Sequence, residues 1–220
     1  MEKIAYAAYH KEEKELEKSS SGAIFIAISD YVLKNNGVVI AASYNYETHK
    51  LEHIICKNNS EIDSCRGSKY IQSYIDKKIY MSVENYLNEN KMVFYIGMPC
   101  QIAAIKKYLS LKKVNMKTFF TCDILCHGVG SQGIWNKFIN YIEEKEKMKV
   151  TYLSFKDKRN GWMHPLCIAK GFQKEVSLRG YSWLYFSDSI MRPSCYNCKY
   201  SNINREGDIT IGDFWKIEKK

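Results

Sequence analysis

Proline is scarce in this chain, three residues in 220, and no run of eighteen or more apolar residues occurs along it. The second absence excludes a membrane-spanning helix, which needs about 20 such residues in succession. The first leaves no Pro-rich spacer, and the twelve glycines are not gathered into a linker, so the chain is expected to fold as one unit. The start, Met1-Glu2-Lys3-Ile4-Ala5-Tyr6, has neither the long apolar core nor the small-residue cleavage site of a secretory signal. A cytoplasmic location is therefore expected. No helix-turn-helix, zinc-finger or RNA-recognition signature accompanies the net charge of +9. The lysines are spread along the chain, and the densest charged stretches, Lys11 to Lys18 and Glu143 to Lys149, mix both signs. A general basic surface, without nucleic-acid binding, is the reading that fits.

Cysteine, by contrast, is plentiful: there are eight. In a reducing compartment clustered thiols are metal ligands more often than disulfides, so redox or metal chemistry moves forward.

The hydrophobic pattern alternates between strand and helix. Ile4 to Tyr9 reads as a short strand, and Ser19 through Lys34 as a helix with Ile24, Ile28 and Val32 on one stripe. The run Val38-Val39-Ile40-Ala41-Ala42 has the β-branched content of a strand buried on both faces, with Leu51 to Cys56 as its hairpin partner. A helix from about Val83 to Glu89 leads into a second buried strand, Met92 to Ile96. Beyond Pro99 a helix carries Ile102, Ile105 and Leu109, and Thr118 to Leu125 forms another strand. This rhythm predicts an α/β fold with a mostly parallel central sheet flanked by helices. From residue 149 onward the stretches are shorter and β-like, Val150 to Phe155 and Leu166 to Phe172, with a helix around Trp183 to Met191. The expectation is one domain, 1–220, whose α/β portion spans 1–148 and whose β-rich, loop-rich portion spans 149–220 and completes a cluster site.

Cys195-Tyr196-Asn197-Cys198 is the sharpest local signal, because two intervening residues let both sulfurs converge on one metal or cluster. Pro193-Ser194 before it and a polar loop after it argue against a thioredoxin-type dithiol. Cys100 sits behind Pro99 in the first turn of a predicted helix, where free backbone N–H groups favour a thiolate. Cys126 lies just past a strand end, beside His127 and Gly128, on the sheet edge expected to carry Cys100. Cys100, Cys126, Cys195 and Cys198 thus form a candidate set of four metal ligands, with Cys122 as runner-up. Cys56 and Cys167 read as buried apolar fillers, and Cys65 as an exposed or half-buried residue of a polar helix or turn.

Two segments suit an anionic cofactor. Ser19-Ser20-Ser21-Gly22 offers hydroxyls and a flexible backbone at a helix start. Arg66-Gly67-Ser68-Lys69-Tyr70 adds two cations, a close-approach glycine and an aromatic ring. Neither is a Walker loop or a G-x-G-x-x-G fingerprint.

With these segments in view, the sequence resembles the coenzyme F420 hydrogenase/dehydrogenase beta-subunit family. The matching segments are Lys18 to Gly22, Arg66 to Tyr70, Gly97 to Gln101, Asp123 to Val129, Ser154 to Lys158, Arg192 to Cys198 and Asp208 to Trp215, in family order. The resemblance implies an iron–sulfur flavoprotein oxidoreductase: a 4Fe-4S cluster on Cys100, Cys126, Cys195 and Cys198, and a flavin, FAD favoured over FMN, near Ser19 to Gly22 and Arg66 to Tyr70. Many relatives carry an N-terminal ferredoxin-like module that this sequence lacks, so a separate ferredoxin-like protein is the expected electron donor and a hydride-accepting small molecule the substrate. His127 is the candidate catalytic proton donor. The alternative is a structural zinc protein, or a non-catalytic interaction module, built on the same four cysteines.

Overall fold

The computed structural model describes residues 4–213. Met1, Glu2 and Lys3, and the Phe214-Trp215 end of the last matching segment, lie outside them. The main sheet has six strands: β1 (Val38–Asn45), β2 (Lys50–Cys56), β3 (Ser73–Tyr74), β4 (Val93–Gly97), β5 (Phe119–Ile124) and, near the end of the described chain, β9 (Ile209–Ile211), in the order β3-β2-β1-β4-β5-β9. Strands β1, β4, β5 and β9 run parallel, and the β1–β2 hairpin is the one antiparallel step. Three further strands, β6 (Tyr152–Asp157), β7 (Leu166–Lys170) and β8 (Glu175–Ser177), form a small antiparallel sheet.

Side-chain alternation along β1 and β4 explains the layering. Val38, Ile40, Val93 and Tyr95 face one side, where they meet Ile79, Val83 and Leu87 of α4 (Lys77–Asn88) and Ile102, Ile105 and Leu109 of α5 (Pro99–Leu111). Val39, Ala41 and Phe94 face the other, against Ile26 and Val32 of α2 (Ile24–Lys34) and Ile62 of α3 (Asn59–Ser64). Each of these buried Leu, Ile or Val side chains contributes roughly 2 kcal/mol of transfer free energy. A third core joins α6 (Gln132–Glu146) to the small sheet and α7 (Arg179–Phe186) around Trp135, Tyr181 and Phe155.

Four expectations need correction. Ile4 to Tyr9 forms no strand: Ile4, Tyr6 and Tyr9 are exposed, and the segment crosses Gly22, whose added Cβ would stand 2.6 Å from the Ala8 carbonyl oxygen. The helix expected from Ser19 begins at Ile24, because Ala23 takes a left-handed conformation (φ 58°) that breaks the helical run. Cys122 cannot serve as a ligand beside Cys126, since it points into the core with no exposure. The helix expected over Trp183 to Met191 sits earlier, as α7. Between residues 9 and 24 a short helix α1 (Glu13–Glu17) precedes the serines, and α8 (Pro193–Tyr196) carries Cys195.

His53 on β2 is buried, stacked on Tyr95 with ring centroids 5.5 Å apart, and its Nδ1 has no partner among the described residues. Burial pushes its imidazole down to about 4, with the Lys69 cation adding to the shift and the Ile96 carbonyl opposing it. A lowered folded value means the unfolded chain takes up the proton first, so stability is full above about pH 6.5 and is lost as pH falls toward 4. Between pH 7 and 4.5 the loss should be about 2 kcal/mol. Urea unfolding across that range should show the decline in the natural protein and a shallower one in His53→Gln; parallel curves would contradict it.

Candidate functional site

Strands β4 and β5 pair in parallel, with Gly97 opposite Asp123, so the loops that follow them leave the sheet side by side. The first loop becomes α5, with Met98 at its N-cap, Pro99 in its first turn and the Gln101 side chain accepting the Met98 N–H at 2.9 Å. That capping fixes Cys100 on the outer side of the first turn. The second loop carries Cys126, His127 and Gly128.

A C-terminal segment lies along this second loop. Ser131 N–H donates to the Ile190 carbonyl and Arg192 N–H to the Val129 carbonyl, both at 2.9 Å, and Gly130 bridges to Met191. Gly128, at φ +129°, takes a backbone conformation other residues adopt only with strain, and its Cβ would press on Met191 Sδ at 3.0 Å and touch Cys195 Cβ at 3.5 Å. The Cys195/Cys198 turn is thereby laid against the Cys126 loop.

Cys100 and Cys126 each sense the other thiols. Burial raises Cys100, and the nearby Cys198 and Cys195 raise it further, while the backbone N–H groups of Cys100 and Gln101 oppose the rise. Cys126 is raised by burial, relieved by the Gly128 N–H, and raised again by Cys100, Cys195 and Cys198. Like charges in reach of one another disfavour ionisation, so both thiols are held toward their protonated form. Among the described residues no group of three or more His, Cys, Asp or Glu side chains stands close enough to hold a metal ion. Cys100 and Cys126 thus lie within electrostatic reach of Cys195 and Cys198, with no coordination shell formed among the described residues.

What holds the gathering together is a buried carboxylate that sequence reading passed over. Asp123, with no exposure, accepts from Thr210 Oγ1 at 2.6 Å, from the Glu206 and Gly207 N–H groups at 3.0 Å each, and from Arg205 Nη2 at 3.1 Å. Asp208 answers in the reverse direction, accepting from Thr121 N–H and Oγ1 at 2.7 Å. These contacts dock β9 and the loop after Cys198 onto β5. A signal was available: Asp123 is an acid within the strand-like run Thr118 to Leu125, and a charge in a buried run requires partners.

The two anion-binding candidates, almost fifty residues apart, also meet. Ser68 N–H donates to Ser20 Oγ at 2.7 Å, and Arg66 Nη1 donates to Ser19 Oγ at 3.3 Å. Arg66 is otherwise engaged by the Glu15 and Asp63 carboxylates, so it ties α1 to α3. Lys69 is different. It is half-buried, donates to the carbonyls of Cys65, Arg66 and Gly67, and has no carboxylate partner among the described residues. Gly67, at φ +82°, supplies the left-handed turn between these cations.

Tyr70 links the two regions. Its ring stacks on Tyr185 with centroids 4.6 Å apart, and its carbonyl accepts from the Tyr181 hydroxyl at 2.8 Å. Tyr185 in turn donates to the Gly128 carbonyl at 2.9 Å and lies within electrostatic reach of Cys126 and Cys195. Lys156 pairs with Asp213, whose charge also reaches Tyr70, and Lys158 donates to the Leu16 carbonyl at 2.5 Å. His127 Nε2 lies 2.9 Å from Asp188 Oδ1, both half-exposed, with its ring beside Tyr185 and Phe186. The run Gly128-Val129-Gly130-Ser131-Gln132-Gly133 spells a dinucleotide fingerprint, but the space at Gly130 is filled by the Tyr181 hydroxyl, 2.5 Å from an added Cβ. It packs protein and cradles no phosphate.

A mixed α/β fold with thiols gathered where its parallel strands end is the class these features define. Residues 5–79 match the family model for the N-terminal part of the coenzyme F420 hydrogenase/dehydrogenase beta subunit, and residues 90–220 match the model for its C-terminal part. The chain belongs to the coenzyme F420 hydrogenase/dehydrogenase beta-subunit family, a family of oxidoreductase complexes. Among solved structures it is similar to a chain of the xenon-derivatised F420-reducing NiFe hydrogenase complex from Methanosarcina barkeri, with a TM-score of 0.60 and 18% identity over 93% of this chain and 68% of that one. That likeness concerns the fold. No curated protein matches the chain, and no helix among the described residues is long and apolar enough to cross a membrane.

Removing the buried carboxylate should release the C-terminal segment. Asp123→Ala is expected to cost about 3 kcal/mol or more, since it strands Arg205 and two backbone N–H groups. Urea unfolding gives the loss, and limited trypsin digestion should cut at Arg205 in the variant well before the natural protein; equal cleavage would contradict the clamp.

Proposed function

We propose that this chain is a cytoplasmic iron–sulfur flavoprotein that receives electrons from a ferredoxin-like protein and delivers them to a hydride-accepting small molecule. One observation carries the reading: the thiol loops and both anion-binding segments, remote in sequence, converge on Tyr70 and Tyr185. A 4Fe-4S cluster would supply one-electron transfer and a flavin, FAD before FMN, would supply hydride chemistry.

Cys100, Cys126, Cys195 and Cys198 are the residues that would hold the cluster. The donor set fits, being four soft sulfurs, two of which already face backbone N–H groups of the kind that tune cluster thiolates.

Ser19, Ser20, Ser21, Gly22, Arg66, Gly67, Ser68, Lys69 and Tyr70 would form the flavin side. Desolvation lowers Lys69 to about 8, so below that pH it is a half-buried cation whose charge no carboxylate balances among the described residues. A phosphate within its reach would balance it. Arg66 and Ser20 shape the loop through their own contacts. Tyr185 separates the thiol face from Tyr70 with packed aromatic surface and excludes water between them. His127, oriented by Asp188, is the group placed to deliver a proton at its imidazole. The family's membership in hydrogenase and dehydrogenase complexes supports a protein partner for the exposed face around Trp183, Phe186 and Tyr196.

Anaerobic reconstitution with iron, sulfide and FAD tests this. The protein should take up about four irons per chain and a flavin, giving a visible absorbance that bleaches on reduction and a paramagnetic signal in the reduced form. Cys198→Ser should lose the iron and keep the flavin; Lys69→Met should keep the iron and weaken flavin affinity by about tenfold, roughly 1.4 kcal/mol. A colourless protein holding one zinc and no flavin would contradict the proposal.

A further inference from the structure

Two cysteines outside the gathered set stand in contact. Cys56 ends β2 and Cys65 caps the C-terminus of α3, and their sulfurs are 3.6 Å apart in the core beside Ile62 and Phe94. We propose that Cys56 and Cys65 form a reversible dithiol–disulfide couple, a two-electron site separate from the four gathered thiols. It goes beyond the iron–sulfur flavoprotein reading and does not depend on it.

A disulfide needs sulfurs about 2.05 Å apart, so the pair must close by about 1.5 Å. Both thiols are free, and neither is held by a competing partner that would pull it from the other: the Ser64 hydroxyl is a longer neighbour of Cys65, at 3.8 Å. The two members differ. Both residues are buried, Cys56 with no exposure and Cys65 with 8%, so Cys65 is the one nearer the surface. A hydrogen bond from Cys56 favours the thiolate of Cys65, burial opposes it, and the Lys69 ammonium, bound to the Cys65 carbonyl at 2.8 Å, adds to the favourable side.

With a low-molecular-weight disulfide, R–S–S–R, as oxidant, the chemistry balances. The Cys65 thiolate attacks one sulfur, the S–S bond breaks, and the first thiolate leaves, giving a mixed disulfide on Cys65. Cys56 then loses its proton and attacks the Cys65 sulfur, expelling the second thiolate. The two protein protons pass to the two released thiolates, so two protein thiols are oxidised and one R–S–S–R becomes two R–SH. The bond would tie the root of the Arg66 to Tyr70 segment to β2.

The test uses the natural full chain, folded and kept free of oxygen. It is exposed to oxidised glutathione, its remaining thiols are alkylated, and it is digested with trypsin without reductant. Cleavage after Lys50, Lys57 and Arg66 separates the two cysteines, so the couple should appear as peptide Leu51–Lys57 joined to Asn58–Arg66, split again by dithiothreitol. In Cys56→Ser the reaction should stop at glutathione on Cys65. Recovery of both peptides alkylated from the natural chain, glutathione on Cys65 with Cys56 intact, or either cysteine joined to a different one would overturn the proposal. The four gathered thiols lie on other peptides, so failure of the cluster reading would register separately.

Discussion

The carboxylate of Asp123 is the constraint on which the rest of the site depends. It is a full charge in a strand interior, and such a group is tolerated only when its acceptor capacity is filled. Here Arg205, Thr210 and two backbone N–H groups fill it, and all of them come from the segment after Cys198. Satisfying one buried charge therefore folds the C-terminal thiol turn back across the chain onto the strand that leads to Cys126. The parallel pairing of β4 with β5 does the same for Cys100. Sheet geometry and one carboxylate together determine which sulfurs can meet.

A second convergence is built on rings in place of charge. Tyr70, Tyr185, Phe186 and Phe155 pack edge-to-face and stacked within 5.5 Å, and the hydroxyls of Tyr181 and Tyr185 bond the backbone carbonyls of Tyr70 and of the thiol loop. Aromatic clusters of this kind give a rigid partition, since each ring has few rotamers and a large contact area. The partition has the thiols on one side and the Ser20, Gly67 and Lys69 turn on the other. The loop glycines Gly128 and Gly130 make room for Met191, Cys195 and the Tyr181 hydroxyl, all from the chain itself.

Much of the fold was legible because burial on two faces leaves a strong pattern. Val38 to Ala42 and Met92 to Ile96 read as continuous apolar strands and are the centre of the sheet, and the Ile102, Ile105, Leu109 stripe faces it as expected. The resemblance to the beta-subunit family, drawn from motifs across the chain, agrees with the family match. Legibility failed where long-range contacts override local preference. Ser19 and Ser20 look like a helix start, yet their hydroxyls bond Arg66 and Ser68, and the helix waits for Ile24. Ile4 to Tyr9 has the composition of a strand and no strand beside it to pair with. Arg66 promised a free cation, but Glu15, remote in sequence, and Asp63, three residues away, neutralise it. Asp123 was hidden for a related reason: its partners lie more than eighty residues downstream.

The most direct measurement is anomalous diffraction at the iron edge from crystals of the anaerobically loaded protein. The account predicts one compact iron peak ringed by the sulfurs of Cys100, Cys126, Cys195 and Cys198, with Asp123 still bonded to Arg205. Iron bound elsewhere, or a C-terminal turn facing away from Cys126, would contradict it.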